Sequence, residues 1–512
     1  MGASDNKRIA KNTIYLNIRM VIVILVNLYV SRVALAELGA DDYGIYNVVA
    51  GIVVLFAFLN NTMSAATSRF LTYEMGKGEV EKLKEVFQTS LFLHLSIAAI
   101  LVVIAETVGL WFVNNHLVIP ESRMTAVYWV YQFSILTMVA KIVQVPFNSS
   151  IIANERMEVY AWIEIIYAFT FLGLVYILGY WGGDKLIFYG ILVFFVAAVS
   201  LVAYILYCLR HFTECSLKVK YEKSILKPMM SFTGFDLYAN FSSTLKSQGI
   251  TVLINWFYGP AVNAANAIAN QIQAAIFNFC STVTSAFRPQ IVKKYAVGDL
   301  CEMKNLLNIS SILSIILFSF IAVPIILEMD FIVKIWLGTP PEYTVGISQI
   351  SIIANTATLI NTILIIPIHA TGRAKRISLL GGTVYLLTVP AAYLFMQLFD
   401  SPLTPYFVVG AFMILLVLTT SVVLKIEIRE VDIINYYFKI IVPSLILIIV
   451  SGYITYCISS CFESGYLRVF ISFAVYLIFS LALCTTYLYI LASKEMRQTG
   501  ISYIRNKIFK HE

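Results

Sequence analysis

Apolar stretches of about 20 residues, separated by short polar connections, recur from residue 13 to residue 491, and each is long enough to cross a bilayer as a helix. Fourteen spans are predicted, over residues 13–34, 43–66, 86–113, 123–147, 159–181, 186–208, 229–256, 263–287, 305–327, 343–369, 377–398, 404–424, 440–461 and 469–491. The run after polar residues 1–12 is too long for a signal-peptide core and reads as an uncleaved first span. Every connection is short, so no folded domain is expected outside the membrane. The expected fold is an all-α polytopic membrane protein.

The pattern repeats. Leu38-Gly39-Ala40, followed by Tyr43-Gly44-Ile45-Tyr46-Asn47, returns later in the chain as Tyr258-Gly259-Pro260 with Asn263-Ala264-Ala265-Asn266. The shift that carries Gly39 onto Gly259 also carries Gly78-Glu79-Val80 onto Gly298-Asp299-Leu300, Lys84 onto Lys304 and Ser90 onto Ser310. A constant offset implies a duplicated unit. Residues 1–215 (spans 1–6) and 216–430 (spans 7–12) then form two pseudo-symmetric six-helix lobes around a central cavity, and residues 431–512 add two helices and a tail. Six spans return the chain to its starting side, so the lobes share one orientation about an axis along the membrane normal.

Polar side chains within the spans locate that cavity. Asn17, Arg19 and Asn27 lie in span 1; Asp236, Asn240 and Lys246 in span 7; Asn263, Asn266 and Asn270 at i, i+3 and i+7 on one face of span 8. Lys246 is about 10 residues, or about 15 Å, from the outer end of its span, too deep to snorkel. An unpaired cation there costs roughly 2.5–3.5 kcal/mol on insertion scales, so it either pairs internally, with Asp236 or Glu164, or binds an anionic group of a substrate. Arg19 is nearer the end of span 1 and fits either a cavity or a snorkelling side chain; Lys141 in span 4 is balanced between the same readings. Arg69 and Arg288, after the second span of each lobe, fit either ordinary topology or a cationic mouth. Most rings within or beside spans, Trp129 and Trp162 among them, read as an interfacial belt or core packing.

Composition narrows the function classes. Hydrophobic residues make up 59% of the chain and charged residues 13%, which no ordinary soluble domain could bury. Connections on one side hold 28 Lys and Arg, those on the other 5, so both termini are placed in the cytoplasm. The net charge of +7 follows from loops facing an anionic leaflet and calls for no nucleic acid. Seven scattered cysteines and five isolated histidines give neither a disulfide framework nor a metal site. With no glycine-rich phosphate loop, GxSxG or HExxH, no enzyme and no cofactor is expected.

The residues carry a resemblance. Leu38-Gly39-Ala40-Asp41-Asp42-Tyr43-Gly44-Ile45-Tyr46 resembles the LGxxxYGxY passage of polysaccharide flippases, and Ala153-Asn154-Glu155-Arg156 and Ala370-Thr371-Gly372-Arg373 are further similarities. The second-lobe counterpart at Tyr258-Gly259-Pro260 lacks the Tyr-Gly pair. The chain is similar over its whole length to O-antigen (Wzx-type) flippases of the multidrug/oligosaccharidyl-lipid/polysaccharide exporter superfamily. That resemblance implies a bacterial inner-membrane protein that moves a polyprenyl-diphosphate oligosaccharide, such as an undecaprenyl-linked lipopolysaccharide precursor, between leaflets by alternating access. Its partners would be that lipid-linked oligosaccharide, membrane lipids and polysaccharide-assembly proteins. Arg19, Lys246 and Lys141 would hold the diphosphate, Asn240, Asn263, Asn266 and Asn270 the sugars, and Asp236 or Glu164 a coupling ion. Two rivals stand. One is a multidrug or cation efflux antiporter of the same superfamily. The other is a membrane glycosyltransferase or polymerase using Glu37, Asp41 and Asp42 in the short first outer loop.

Overall fold

The computed structural model describes residues 3–54, 79–154, 156–226 and 234–491, with scattered positions between 63 and 75. Among the described residues all regular structure is helical, without strands. Helix α1 (Ala3–Val54) contains the first predicted span and the start of the second, joined at Gly39, which takes φ 77° and ψ 171°. The expected outer loop is therefore absent: one glycine reverses the backbone, and helical hydrogen bonding resumes at once. That economy suits a bilayer, where unpaired backbone groups are costly. The first bundle continues with α2 (Val80–Ile104), α3 (Leu110–His116), α4 (Met124–Ala153), α5 (Met157–Tyr176) and α6 (Lys185–His211).

The second bundle repeats this design. Helix α7 (Gly234–Ala296) holds two predicted spans around Gly259, at φ 79° and ψ −175°. The two hinge glycines, Gly39 and Gly259, are the pair that the duplicated pattern superposes. Helices α8 (Leu300–Leu327), α9 (Met329–Leu337), α10 (Thr344–Ala370), α11 (Lys375–Leu398) and α12 (Thr404–Glu427) complete the bundle. The turn α13 (Ile433–Tyr436) leads through a π turn to α14 (Val442–Ser459), followed by α15 (Tyr466–Leu491). Helices α14 and α15 pack on each other and on α8, and Glu328 at the end of α8 accepts hydrogen bonds from Arg468 Nε (3.0 Å) and Ser472 Oγ (2.7 Å). Ten described helical stretches are long and apolar enough to cross a membrane. The polar α7 is not among them, because it runs along the interior seam between the bundles.

That seam is the contact of α1 with α7. A Cβ on Gly44 would lie 1.8 Å from the carbonyl oxygen of Pro260, and one on Gly51 would lie 2.6 Å from Gln248 Oε1. Gln271 Nε2 donates to Tyr43 Oη (2.9 Å), Val118 N to Asn255 Oδ1 (2.9 Å), and Trp336 Nε1 to the Leu28 carbonyl (2.8 Å). The indole N–H of Trp256 donates to the His116 carbonyl. These contacts lie in the half away from the basic connections, the outer half on the positive-inside expectation, so the bundles are closed there.

Inside the first bundle, the Ala105 carbonyl opens a π turn (Ala105–Gly109) between α2 and α3, and it accepts from both the Leu110 backbone N–H and the Tyr131 hydroxyl, the latter at 2.7 Å. A Cβ on Gly109 would lie 2.1 Å from that hydroxyl. Alanine normally stabilises a helix interior relative to glycine, but Gly109→Ala is expected to destabilise by about 1–3 kcal/mol, the cost of a broken buried hydrogen bond. A thermal-unfolding midpoint in detergent that did not fall would remove this account.

Candidate functional site

Lys246 lies on the first half of α7, where its ammonium sits 5.3 Å from the ring centroid of Tyr385. Among the described residues no carboxylate forms an ion pair with it, so pairing with Glu164 does not occur. Asp236's side chain lies outside the described residues. Lys246 instead lines a pocket of about 160 Å³ together with Asn266, Asn270, Gln273, Ser351 and Tyr406. The pocket is built by α7, α10 and α12 of the second bundle.

Its polar groups hold one another in place. Asn266 Oδ1 accepts from Tyr406 Oη (2.9 Å) and from Asn270 Nδ2 (3.2 Å), while its own Nδ2 donates to Thr251 Oγ1 (3.2 Å). Gln273 Nε2 donates to Asn355 Oδ1 at 3.1 Å. Asn266 is buried and fixed, whereas Asn270 is exposed. The result is a rigid amide wall beside one cation, an arrangement that binds an anion or hydroxyl groups better than it binds an organic cation.

The other predicted residues fall elsewhere. Arg19, Lys141 and Glu164 form a separate cluster in the first bundle. Arg19 Nη1 donates to Tyr160 Oη (2.8 Å), and its guanidinium carbon lies 4.7 Å from that ring's centroid. Lys141 Nζ sits 4.4 Å from the centroid of Tyr167, and Glu164 accepts from Tyr204 Oη at 2.9 Å. Tyr160, Glu164 and Tyr167 share one face of α5 at i, i+4 and i+7. Lys141 therefore has close neighbours, and Arg19 is held within the bundle rather than extended to the boundary. Glu164 forms no ion pair with either cation. Neither Arg19 nor Lys141 lines the Lys246 pocket.

Of the three asparagines expected on one face, Asn263 does not line the pocket. It is fully buried, and neither of its amide atoms has a hydrogen-bond partner. Asn240 is half-buried and outside the lining. Arg288 is exposed near the basic end of α7, while Arg69 lies outside the described residues. Tyr385, Tyr406, Ser351 and Tyr160 escaped sequence reasoning: a tyrosine or serine in an apolar helix carries no signal separating a site from the core.

Two of the three acidic residues of the first turn, Glu37 and Asp42, are occupied. Arg123 bonds both Asp42 and Asp184, at 2.6 Å each, and Lys185 bonds Glu37 at 2.7 Å. These pairs tie three outer connections of the first bundle together, and they leave Glu37 and Asp42 committed to cations rather than arranged as metal ligands.

No family model matches the sequence, and no curated protein matches it. Solved structures do. A lipid II flippase MurJ in an inward closed conformation aligns at TM-score 0.70 and 13% identity, covering 94% of this chain and 99% of its own. A multidrug resistance MATE family transporter of the MOP superfamily, in an inward-facing conformation, aligns at 0.65 and 14%, covering 82% and 100%. A MOP superfamily transporter from Pyrococcus furiosus, described as having a binding pocket of reverse polarity, aligns at 0.58 and 15%, covering 83% and 96%. At these identities the likeness is one of fold, and the chain has the two-bundle fold of the flippase MurJ and of the MATE transporters of the MOP superfamily.

Proposed function

We propose that the protein is a flippase that moves a polyprenyl-diphosphate-linked oligosaccharide from the cytoplasmic to the periplasmic leaflet of a bacterial inner membrane, for cell-surface polysaccharide such as O-antigen. The observation that carries this reading is Lys246: a deep cation without a carboxylate partner among the described residues, lining a pocket walled by amides. At about 160 Å³ that pocket is smaller than the roughly 300–1,000 Å³ of sites for whole small molecules, so it suits the phosphate end of the substrate. Asn266, Asn270 and Asn240 meet sugar hydroxyls, and the lipid tail remains in the bilayer. The basic connections, including Arg69 and Arg288, face the cytoplasm with both termini and draw the anionic headgroup in. The Arg19, Lys141 and Glu164 cluster, buffered by tyrosines, responds to the headgroup as the bundles rock about the seam, with Glu164 or Asp236 taking a coupling ion or proton. The fold likeness to a protein named as a lipid II flippase supports a lipid-linked substrate.

The test is reconstitution. Proteoliposomes are expected to move a fluorescent polyprenyl-diphosphate oligosaccharide between leaflets and to leave organic cations untransported. Cation efflux without lipid movement, across a panel of glycans, would transfer the protein to the drug-antiporter class.

A further inference from the structure

A second cavity, of about 520 Å³, lies at the basic end of the molecule between the first turns of α8 and the turn leading into α14. It shares no lining residue with the Lys246 pocket. Its lining carries two cations, Lys304 and Lys439, two carboxylates, Glu430 and Asp432, and the amides of Asn308 and Asn435 above an apolar floor. We propose that this cavity holds the headgroup of an aminophospholipid, phosphatidylethanolamine, from the leaflet on the basic side.

The charge pattern selects this occupant. A simple anion or anionic headgroup would meet two carboxylates, and a simple cation two lysines. A zwitterion that presents a phosphate to Lys304 and Lys439 and an ammonium to Glu430 and Asp432 satisfies both. Asp432 is ionised, because the Asn435 backbone N–H and side-chain amide hold its carboxyl below the usual range. The Glu430 carboxylate makes no ion pair among the described residues and is available to an ammonium.

The site is also preformed and placed at lipid depth. Lys425 Nζ donates to the carbonyls of Arg429 (2.6 Å) and Val431 (3.0 Å), fixing the loop that carries Glu430. Tyr436 Oη is held by Ser311 at 2.8 Å, which sets the cavity floor, and Lys304 Nζ donates to the Glu430 carbonyl at 3.3 Å. Beside the cavity, Ile434 and Phe438 are 72% and 71% exposed and lie one helical turn apart. Large apolar side chains that stand out beside lysines belong at a membrane boundary, so the cavity opens where acyl chains begin.

The experiment is native mass spectrometry of the full-length, delipidated protein titrated with phosphatidylethanolamine, phosphatidylcholine and phosphatidylglycerol. Phosphatidylethanolamine is expected to bind at one saturable site about fivefold tighter or more than either competitor, because phosphatidylcholine lacks ammonium N–H donors and phosphatidylglycerol lacks the positive charge. Glu430→Gln is expected to erase the preference, and Lys304→Gln to weaken phosphatidylethanolamine binding by a similar factor. Equal binding of the ethanolamine and choline lipids, tighter binding of the glycerol lipid, or a preference that survives Glu430→Gln would each overturn the proposal.

Discussion

Lys246→Gln is expected to cut lipid transport by about tenfold to a hundredfold without lowering stability. The loss follows from the charge-assisted hydrogen bond between an ammonium and a phosphate, worth about 1.5–3 kcal/mol, at about 1.4 kcal/mol per factor of ten. The unchanged or raised stability follows from what surrounds the side chain. No carboxylate pairs with Lys246 among the described residues, and the ring of Tyr385 is its one close electrostatic neighbour there. Removing an uncompensated cation from membrane depth relieves a cost rather than breaking a pair. A structural lysine behaves the other way, since losing one partner of a buried ion pair destabilises by several kcal/mol. Transport and thermal unfolding of one purified variant therefore separate the two roles. A variant that unfolds earlier yet still moves substrate would show Lys246 to be a structural residue.

Much of the fold was legible because the bilayer imposes a simple rule on length and polarity. Gly39 and Gly259 stood out at matching places in a duplicated pattern, and both prove to be the points where a helix pair folds back. What the sequence hid was how tightly. A stretch with Glu37, Asp41 and Asp42 reads as a solvated loop, yet Glu37 and Asp42 are consumed by Lys185 and Arg123, cations that arrive from connections far along the chain. Asn266 and Asn270 were conspicuous because amides are rare in apolar helices, but their partner Tyr406 was not, because a tyrosine in an apolar helix looks like core. Nor could spacing along the chain separate the Arg19 cluster from the Lys246 pocket, since that division depends on which bundle each span joins.

Opposite substitutions across the seam are expected to drive the bundles in opposite directions. In Gly44→Ala the new Cβ would lie 1.8 Å from the Pro260 carbonyl oxygen, and backbone on both sides leaves no side chain to yield. The seam must separate, so the outer ends should move apart. Asn263→Val should do the reverse. Asn263 is fully buried with both amide atoms unpaired, a cost of about 1–3 kcal/mol that the closed seam bears and an open seam would shed to water. The duplication explains the orphan. Tyr43 accepts a hydrogen bond from Gln271, but the repeat places Asn263 where Tyr43 stands and Gly51 where Gln271 stands, and glycine offers no side chain. Spin labels at the exposed positions Glu121 and Glu342, on the outer connections of the two bundles, report the separation. Relative to the unsubstituted seam, the distance distribution should shift longer in Gly44→Ala and narrow toward the short distance in Asn263→Val. Transport should fall in both, since a cycle needs each state to be reached and left. A Gly44→Ala protein that kept the short distance would mean that the seam yields by bending α1, and closure would then not depend on the bare backbone contact between Gly44 and Pro260.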